Sequence, residues 1–178
     1  MSWLTNVTDI MNKYASADTT TVPGSVDADF DRFSQHAPAS SVSDGLAEAF
    51  RSPQTPAFPS MLGQLFGRSP ATHKSNVLNT LVMTLGPALV SQILARHGAN
   101  RAAQELQSGQ PTVSPEVAEQ IPSTSIEAVA AEAENKDPSI IDRLSRFYAD
   151  QPALIKTLGG MALVVAMAKI AQGQTRGR

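Results

Sequence analysis

The side chains able to act as acids, bases or metal ligands are few and scattered in this sequence. Its three histidines, His36, His73 and His97, lie far apart and have no acidic residue at helical spacing to orient them. The sequence contains no cysteine, which excludes disulfides, thiolate catalysis and zinc sites with cysteine ligands. We therefore expect no enzyme activity, no metal or other cofactor, and no small-molecule substrate.

One acidic stretch resembles a calcium loop, because Asp27, Asp29 and Asp31 alternate as calcium ligands do. A calcium loop also needs a central glycine and a distal glutamate, and this stretch has neither at the required spacing. Phe30 and Phe33 lie among the acids at a spacing typical of a helix. The pattern therefore predicts a helix and no calcium site.

A second polar cluster consists of Ser41, Ser43 and Asp44. A catalytic triad needs a nucleophile, a positioned base and a site for the oxyanion, and no such base is identifiable here. The cluster instead predicts the N-cap of a helix, where serine and aspartate side chains bind free backbone N–H groups.

Nucleic acid is an unsuitable partner on charge alone, since the formal net charge is −2. The segment ILARHGANRAAQEL (residues 93–106) has the outline of a helix-turn-helix. Its second helix offers Arg101 as the only base, opposed by Glu105, and Gln104 stands where that motif usually packs an apolar residue. We expect no nucleic-acid binding.

The elements that must position these residues are helices throughout, because no stretch alternates with period two. Prolines and glycines mark the boundaries. Gly67 is predicted to end one helix, and Ser69-Pro70 to begin the next. Gly86-Pro87 predicts a sharp corner between helices over 70–85 and 87–97. The fold class is all-α, a compact bundle of short helices.

The most apolar helix is predicted over residues 153–171, with Asp150 as its cap and Gly159-Gly160 inside it. Its uncharged window is too short for a membrane span, which needs roughly 20 residues. A helix that is apolar on all sides is typical of a buried core. We expect the bundle to form around this helix, and the tail 173–178 to be disordered.

The N-terminus predicts a separate amphipathic helix over 1–16, joined by a flexible linker over 17–25, ADTTTVPGS. Asp9 and Lys13 form an i,i+4 pair on its polar face. Two arrangements are open: the helix folds back onto its own domain, or it docks on a neighbouring copy, another protein or a membrane. Its apolar stripe, the candidate interaction site, consists of Trp3, Leu4, Val7, Ile10, Met11 and Tyr14.

The length of 178 residues is enough for one domain, which we place over 26–172. A chain of this size buries enough surface to need neither disulfide nor metal. The N-terminus lacks the basic stretch and continuous apolar run of a signal peptide, so the expected location is the cytoplasm.

Two blocks resemble segments of uncharacterised bacterial helical proteins: RSPQTPAFPSMLGQLFGRS and DPSIIDRLSRFYADQPALIKTLGG. Among named families, they are similar to the YidB-like family, a domain of unknown function. The resemblance rests on short helices, on LG and FG helix ends, and on AEQIP (residues 118–122) before a late apolar helix. The chain lacks the Gly- and Leu-rich central run of that family. The resemblance implies an all-α bacterial cytoplasmic protein and transfers no functional residue.

These patterns predict a structural or interaction protein that is not an enzyme. We expect it to associate with itself, as a homo-oligomer or a larger polymer, with the N-terminal helix as the docking arm. The alternative is peripheral attachment to a membrane surface through the same helix. The polar face of that helix has few lysines and arginines, unlike most helices that lie on membranes.

Overall fold

The computed structural model describes residues 8–10, 12–14, 24–108 and 112–176, with side chains described as far as Gln172. These residues are mostly helical and contain no strand, which confirms the all-α prediction. Residues 8–10 and 12–14 are helical. From residue 24 onward the helices in chain order are α1 Val26–His36, α2 Ala39–Arg51, α3 Phe58–Arg68, α4 Ala71–Leu85, α5 Pro87–Arg96, α6 Asn100–Gln107, α7 Pro115–Ala118, α8 Ser123–Lys136, α9 Ile140–Ala149, α10 Pro152–Lys156 and α11 Gly160–Arg176.

The chain divides into two compact units, one of which is discontinuous in sequence. Unit 1 comprises Met1–Ala57 and Ser145–Arg178, and unit 2 comprises Phe58–Leu144. The boundary in the second half of the chain falls inside α9. The predicted single domain over 26–172 stays a prediction, because contacts within a folded chain do not show which parts fold alone.

Unit 1 is built on α11, which packs against α2 and α1. The side chains from Ala162 to Ala168 are all buried, as are Ile170 and Ala171, whereas Lys169 and Gln172 near the end of the helix are exposed. Gly45 of α2 allows a close approach: a Cβ there would lie 2.7 Å from the carbonyl oxygen of Ala166. The apolar C-terminal helix is thus the core of unit 1. It does not organise the whole chain as the sequence suggested, because unit 2 has a core of its own.

The C-terminal region differs from the predicted continuous helix over 153–171. Gly159 adopts a φ of +100°, a conformation that side chains with a Cβ rarely tolerate, and it separates the short α10 from α11. Gln151 rather than Asp150 precedes the first turn of α10. Helix α11 continues to Arg176, where the sequence predicted a disordered tail from residue 173.

Unit 2 is built on α3, α4 and α8, which pack against one another. The predicted corner between α4 and α5 is confirmed: Gly86 has a φ of +91°, and Pro87 begins α5. The core side chains of the three central helices are fully buried. They include Phe58, Met61, Leu62, Leu65, Phe66, Val77, Leu78, Leu81, Ile126, Val129 and Ala133.

Two helix boundaries in unit 2 differ from the predicted ones. Gly67 lies inside α3, which runs to Arg68, and a Cβ at Gly67 would lie 2.8 Å from the Ser123 hydroxyl. This glycine therefore makes room for α8 instead of ending a helix. The cap position of α4 is occupied by Pro70 and not by Ser69, whose hydroxyl donates a hydrogen bond of 2.6 Å to the Leu65 carbonyl of the preceding helix.

No single helix in the described part of the chain has both the length and the apolar composition needed to cross a membrane. Helices α4 and α5 meet both requirements only when taken together, and they are bent by 119° relative to each other at Gly86.

Candidate interaction site

The histidines are not brought together in a catalytic or metal-binding arrangement. Nδ1 of the exposed His36 lies 2.8 Å from the carbonyl oxygen of Arg32, one helical turn earlier. His97 contributes its backbone carbonyl, which accepts a hydrogen bond from Ser125. Within the described ranges, no group of three His, Asp or Glu side chains is arranged to hold a metal ion.

The cluster of Ser41, Ser43 and Asp44 lies within the first turns of α2, not at its N-cap as predicted. Pro38 occupies the cap position with an extended backbone, and the helix starts at Ala39. A proline fits there because the N–H it lacks would be unpaired at a helix start. Ser43 is buried, Ser41 is half-buried and Asp44 is exposed, so only Ser43 takes part in the packing of α2.

The segment that resembled a helix-turn-helix comprises the end of α5 and the whole of α6. Arg101, its only basic residue on the second helix, donates a hydrogen bond of 3.2 Å to the side chain of Gln120. Glu105 accepts hydrogen bonds from the backbone and the hydroxyl of Ser114. Both charged side chains are therefore engaged in holding neighbouring parts of unit 2 together.

An open groove of about 270 Å³ lies beside the start of α6, between residues 98–102 and residues 117–121. The Arg101–Gln120 hydrogen bond joins its two walls. No carboxylate, histidine or second basic side chain lines the groove. It therefore has no set of converging polar groups of the kind that fixes a small molecule in place.

The predicted interaction stripe is described at two of its six positions. Ile10 is 6% exposed and Tyr14 is completely buried, so both side chains lie in the protein interior. The other four positions lie outside the described residues: Trp3, Leu4, Val7 and Met11. We use the name arm for residues 1–16.

The arm is held by polar contacts that converge on one carboxylate, that of Asp29 on α1. The Tyr14 hydroxyl donates a hydrogen bond of 2.9 Å to Oδ2 of Asp29. The Lys13 ammonium lies 2.9 Å from the same oxygen and also donates to the Ser25 hydroxyl. Ser25 in turn donates a hydrogen bond of 3.0 Å to that oxygen. We call Ser25 and Asp29 the seat.

The seat differs from a surface ion pair because its carboxylate is almost completely enclosed. The Asp29 side chain is 9% exposed, whereas the Lys13 side chain is 43% exposed. An enclosed carboxylate is stable only when hydrogen bonds replace the water it has lost. Among the described residues, the arm supplies two of the three donors that Asp29 receives, Lys13 and Tyr14.

The same contacts shift the pKa of Asp29 and the pKa of Tyr14 in opposite directions. Burial alone would raise the pKa of Asp29, but hydrogen bonds from Lys13, Tyr14 and Ser25 outweigh it and hold that pKa below its usual range. Burial, together with the hydrogen bond to Asp29 and the negative charge of that carboxylate, raises the pKa of Tyr14 far above its ordinary value. At neutral pH the contact is therefore a neutral phenol donating to a charged carboxylate.

The position of Asp29 on α1 explains why it is buried while its acidic neighbours are not. Residues 26, 29, 30 and 33 follow the spacing of a single helix face, and all four are buried. Asp27 is exposed, and Asp31 pairs with Lys156 at 2.8 Å. A charged residue within an apolar stripe indicates a buried polar contact, and the spacing of Asp29 with Val26, Phe30 and Phe33 in the sequence carried that signal.

The ion-pair partner of Lys13 in the structure is not the one that the sequence pattern predicted. Helical spacing predicted a pair with Asp9 on the exposed face, but the lysine forms its ion pair with Asp29. The lysine also lies 5.5 Å from the centre of the Tyr14 ring, a cation–π distance. Lys13 thus contributes a polar contact beside the buried side chains of Ile10 and Tyr14.

Comparison with known proteins gives no relative: no family model matches the chain, and neither a curated protein nor a solved structure matches it significantly.

Proposed function

We propose that this protein is a non-enzymatic structural or interaction protein that associates with itself, and that the N-terminal amphipathic helix is its docking arm. The observation that carries the proposal is the contact between Tyr14 and Asp29. A fully buried phenol donating to an almost enclosed carboxylate is a specific contact, with a fixed register and orientation. Nonspecific apolar packing of a helix would not need it.

A specific arm and seat within one chain also provide a means of joining two chains. Identical chains can exchange identical elements, so every contact made within a molecule can be made between molecules. The linker composition, small and polar with a Pro-Gly turn, suits an element that has to reach different positions. These features support self-association more directly than they support binding of a dissimilar partner.

The test is the mass of the full chain in solution, measured by light scattering over a concentration series. We expect a mass above the 18.8 kDa of one chain that rises with concentration. Ile10→Asp places a charge at a buried arm position and should bring the mass down towards one chain without loss of helicity. Asp9→Ala, at an exposed position of the same segment, is the matched control and should behave as the unmodified chain.

A mass of one chain at all concentrations would contradict the proposal. A variant that lost its cooperative melting altogether would show instead that the arm is an essential part of the core of unit 1.

The membrane alternative rests on the amphipathic character of the same helix. It requires Ile10 and Tyr14 to face lipid, although both are buried in the protein. Flotation with vesicles of neutral and of anionic lipid distinguishes the two proposals. Binding to vesicles that is abolished by Ile10→Asp, together with a single-chain mass in solution, would favour the membrane surface.

A further inference from the structure

Most of the hydrogen-bond donors to the Asp29 carboxylate come from the arm. Of the three donors to the Asp29 carboxylate among the described residues, only Ser25, the residue that precedes α1, lies outside the arm. Lys13 and Tyr14 provide the other two, and the carboxylate is almost completely enclosed when they are in place. A charge-assisted hydrogen bond and an ion pair at an enclosed carboxylate favour the docked state, so an open seat can bind the arm of another molecule.

The arm of a second copy presents the same lysine and tyrosine in the same order. Lys13 and Ser25 are 12 positions apart in sequence. An extended chain of that length reaches roughly 40 Å, which is more than the radius of a small domain. An arm released from its own seat can therefore reach the seat of a neighbouring molecule.

We propose that the Asp29 seat of one molecule accepts the Lys13–Tyr14 arm of a second copy of this chain, so that assembly occurs by exchange of arms. This proposal rests on the proposed function and adds the receptor for the arm. The contacts within and between molecules are the same, so the balance between them is set by concentration and by the linker. Reciprocal exchange gives a closed dimer, and one-way exchange gives a chain of molecules.

Charge reversal on either side of the contact tests this directly. Lys13→Asp and Asp29→Lys each place like charges at positions 13 and 29 of the same molecule, so neither variant can form a favourable ion pair with itself or with identical copies. In a mixture of the two, opposite charges meet only between different molecules. In one of the two possible contacts, the unmodified Lys13 of the Asp29→Lys variant meets the unmodified Asp29 of the Lys13→Asp variant.

The measurement is the mass and composition of mixtures, by light scattering and native mass spectrometry, with the full-length chains. We expect each variant alone to associate at least about tenfold more weakly than the unmodified chain, and the mixture to form mixed complexes at least about tenfold more tightly than either variant alone. In the matched control, the Lys13→Asp variant is mixed with Asp27→Lys instead of Asp29→Lys. Asp27 is exposed on the same helix, so this variant should associate as the unmodified chain does and show no preference for the Lys13→Asp partner.

A buried lysine at position 29 can prevent folding, so a second pair keeps the test decisive. Tyr14→Ala has a defective arm and an intact seat, and Asp29→Asn has an intact arm and a seat without charge. Only a contact between the two molecules joins an intact arm to an intact seat. Circular dichroism of each variant establishes that it is folded before mixing.

The outcomes separate this proposal from the proposed function. If the unmodified chain associates and neither mixture forms mixed complexes, arm exchange at Asp29 is overturned while self-association stands. If the unmodified chain remains a single molecule at all concentrations, both are overturned. If mixed complexes form only in the matched mixtures, the seat is the receptor of the arm.

Discussion

Asp29 shows how one side chain can link the N-terminal arm to the rest of unit 1. Its carboxylate lies on the buried face of α1, and one of its oxygens receives donors from Lys13, Tyr14 and Ser25. Such a contact is specific because both partners lose water on docking and only the correct geometry replaces it.

Tyr14→Phe removes one donor from Asp29 while keeping the ring. We expect the free energy of unfolding to fall by about 1–2 kcal/mol, since a hydrogen bond to a charged group is lost and two other donors remain. Urea unfolding at fixed protein concentration measures the change. Asp27→Asn, which alters an exposed acid of the same helix, should change it by less than about 0.5 kcal/mol. An equal effect of both substitutions would contradict a special role for Tyr14.

The contact between Tyr14 and Asp29 should stabilise unit 1 only over a limited range of pH. Because Asp29 has a lowered pKa in the folded state, its contribution is present above the unfolded pKa of about 3.9 and is lost as the pH falls through the lower folded value. Because the pKa of Tyr14 is raised, its contribution is present below the unfolded value of about 10 and is lost as the pH rises towards the folded value.

We therefore expect the difference in unfolding free energy between the unmodified chain and Asp29→Asn to be constant from about pH 5 to pH 9, and to shrink outside that range. Unfolding curves across a pH series measure it. A difference that shrinks between pH 5 and pH 9 would point to a titrating group other than these two.

The sequence pattern singled out Ile10 and Tyr14 but not Asp29. Ile10 and Tyr14 stood in the predicted stripe, and the structure places both in the interior. Asp29 was grouped with Asp27 and Asp31 as one of three similar acids, although only Asp29 falls between Val26 and Phe33 on the apolar face. The partner of Lys13 could not be predicted, because local helical spacing shows nearby pairs and the actual partner lies 16 positions away.

At the scale of elements, the close approach of α2 to α11 holds unit 1 together. Gly45→Ala would place a methyl 2.7 Å from a backbone carbonyl and 2.9 Å from the Ile170 side chain. Overpacking of this kind costs about 1–3 kcal/mol, against a gain of at most about 1 kcal/mol from the better helix propensity of alanine. We expect a net loss of stability, measured by thermal and urea unfolding.

Gly24→Ala serves as the comparison, because no atom lies within 4 Å of the added methyl and the backbone does not adopt a positive φ. It should leave stability unchanged or slightly increased. Loss of stability in this variant, or none in Gly45→Ala, would contradict close packing as the reason for the glycine in α2.

Three glycines show which helix boundaries the sequence pattern could predict and which it could not. The Gly86-Pro87 corner was predictable, since proline cannot donate the next helical hydrogen bond. Gly67 was predicted to end a helix, but its role is set by Ser123, a residue from another helix. The break at Gly159 was taken for helix interior, because a glycine pair has the same sequence whether it bends the chain or packs within a helix.

At the scale of the whole molecule, the all-α class was predictable from periodicity, whereas the division into two units was not. The first boundary follows the non-helical, proline-containing segment 52–57, which looks like any other connection between helices, and the second falls inside α9. The division depends on which helices pack together, and unit 1 combines both ends of the chain. Such a pairing of distant segments has no local sequence signal.

Unit 2 is continuous in sequence and has its own buried core, so we expect a fragment of residues 58–149, which keeps α9 whole, to be helical and to melt cooperatively. A fragment of residues 1–57 contains α1 and α2 but lacks α11, against which both pack, and it should not melt cooperatively. Circular dichroism during heating measures both. An unfolded 58–149 fragment would support the predicted single domain over 26–172.

The ion pair between Lys156 and Asp31 joins residues 125 positions apart, which has a consequence for synthesis on the ribosome. At about 5–20 residues per second, roughly 6–25 seconds pass between the addition of these two residues. Throughout that interval the nascent chain carries its arm and α1 without α11. Several ribosomes on one messenger RNA hold such chains close together. If arms are exchanged between copies, the polysome is the first place where exchange can occur, before any of these chains has completed unit 1.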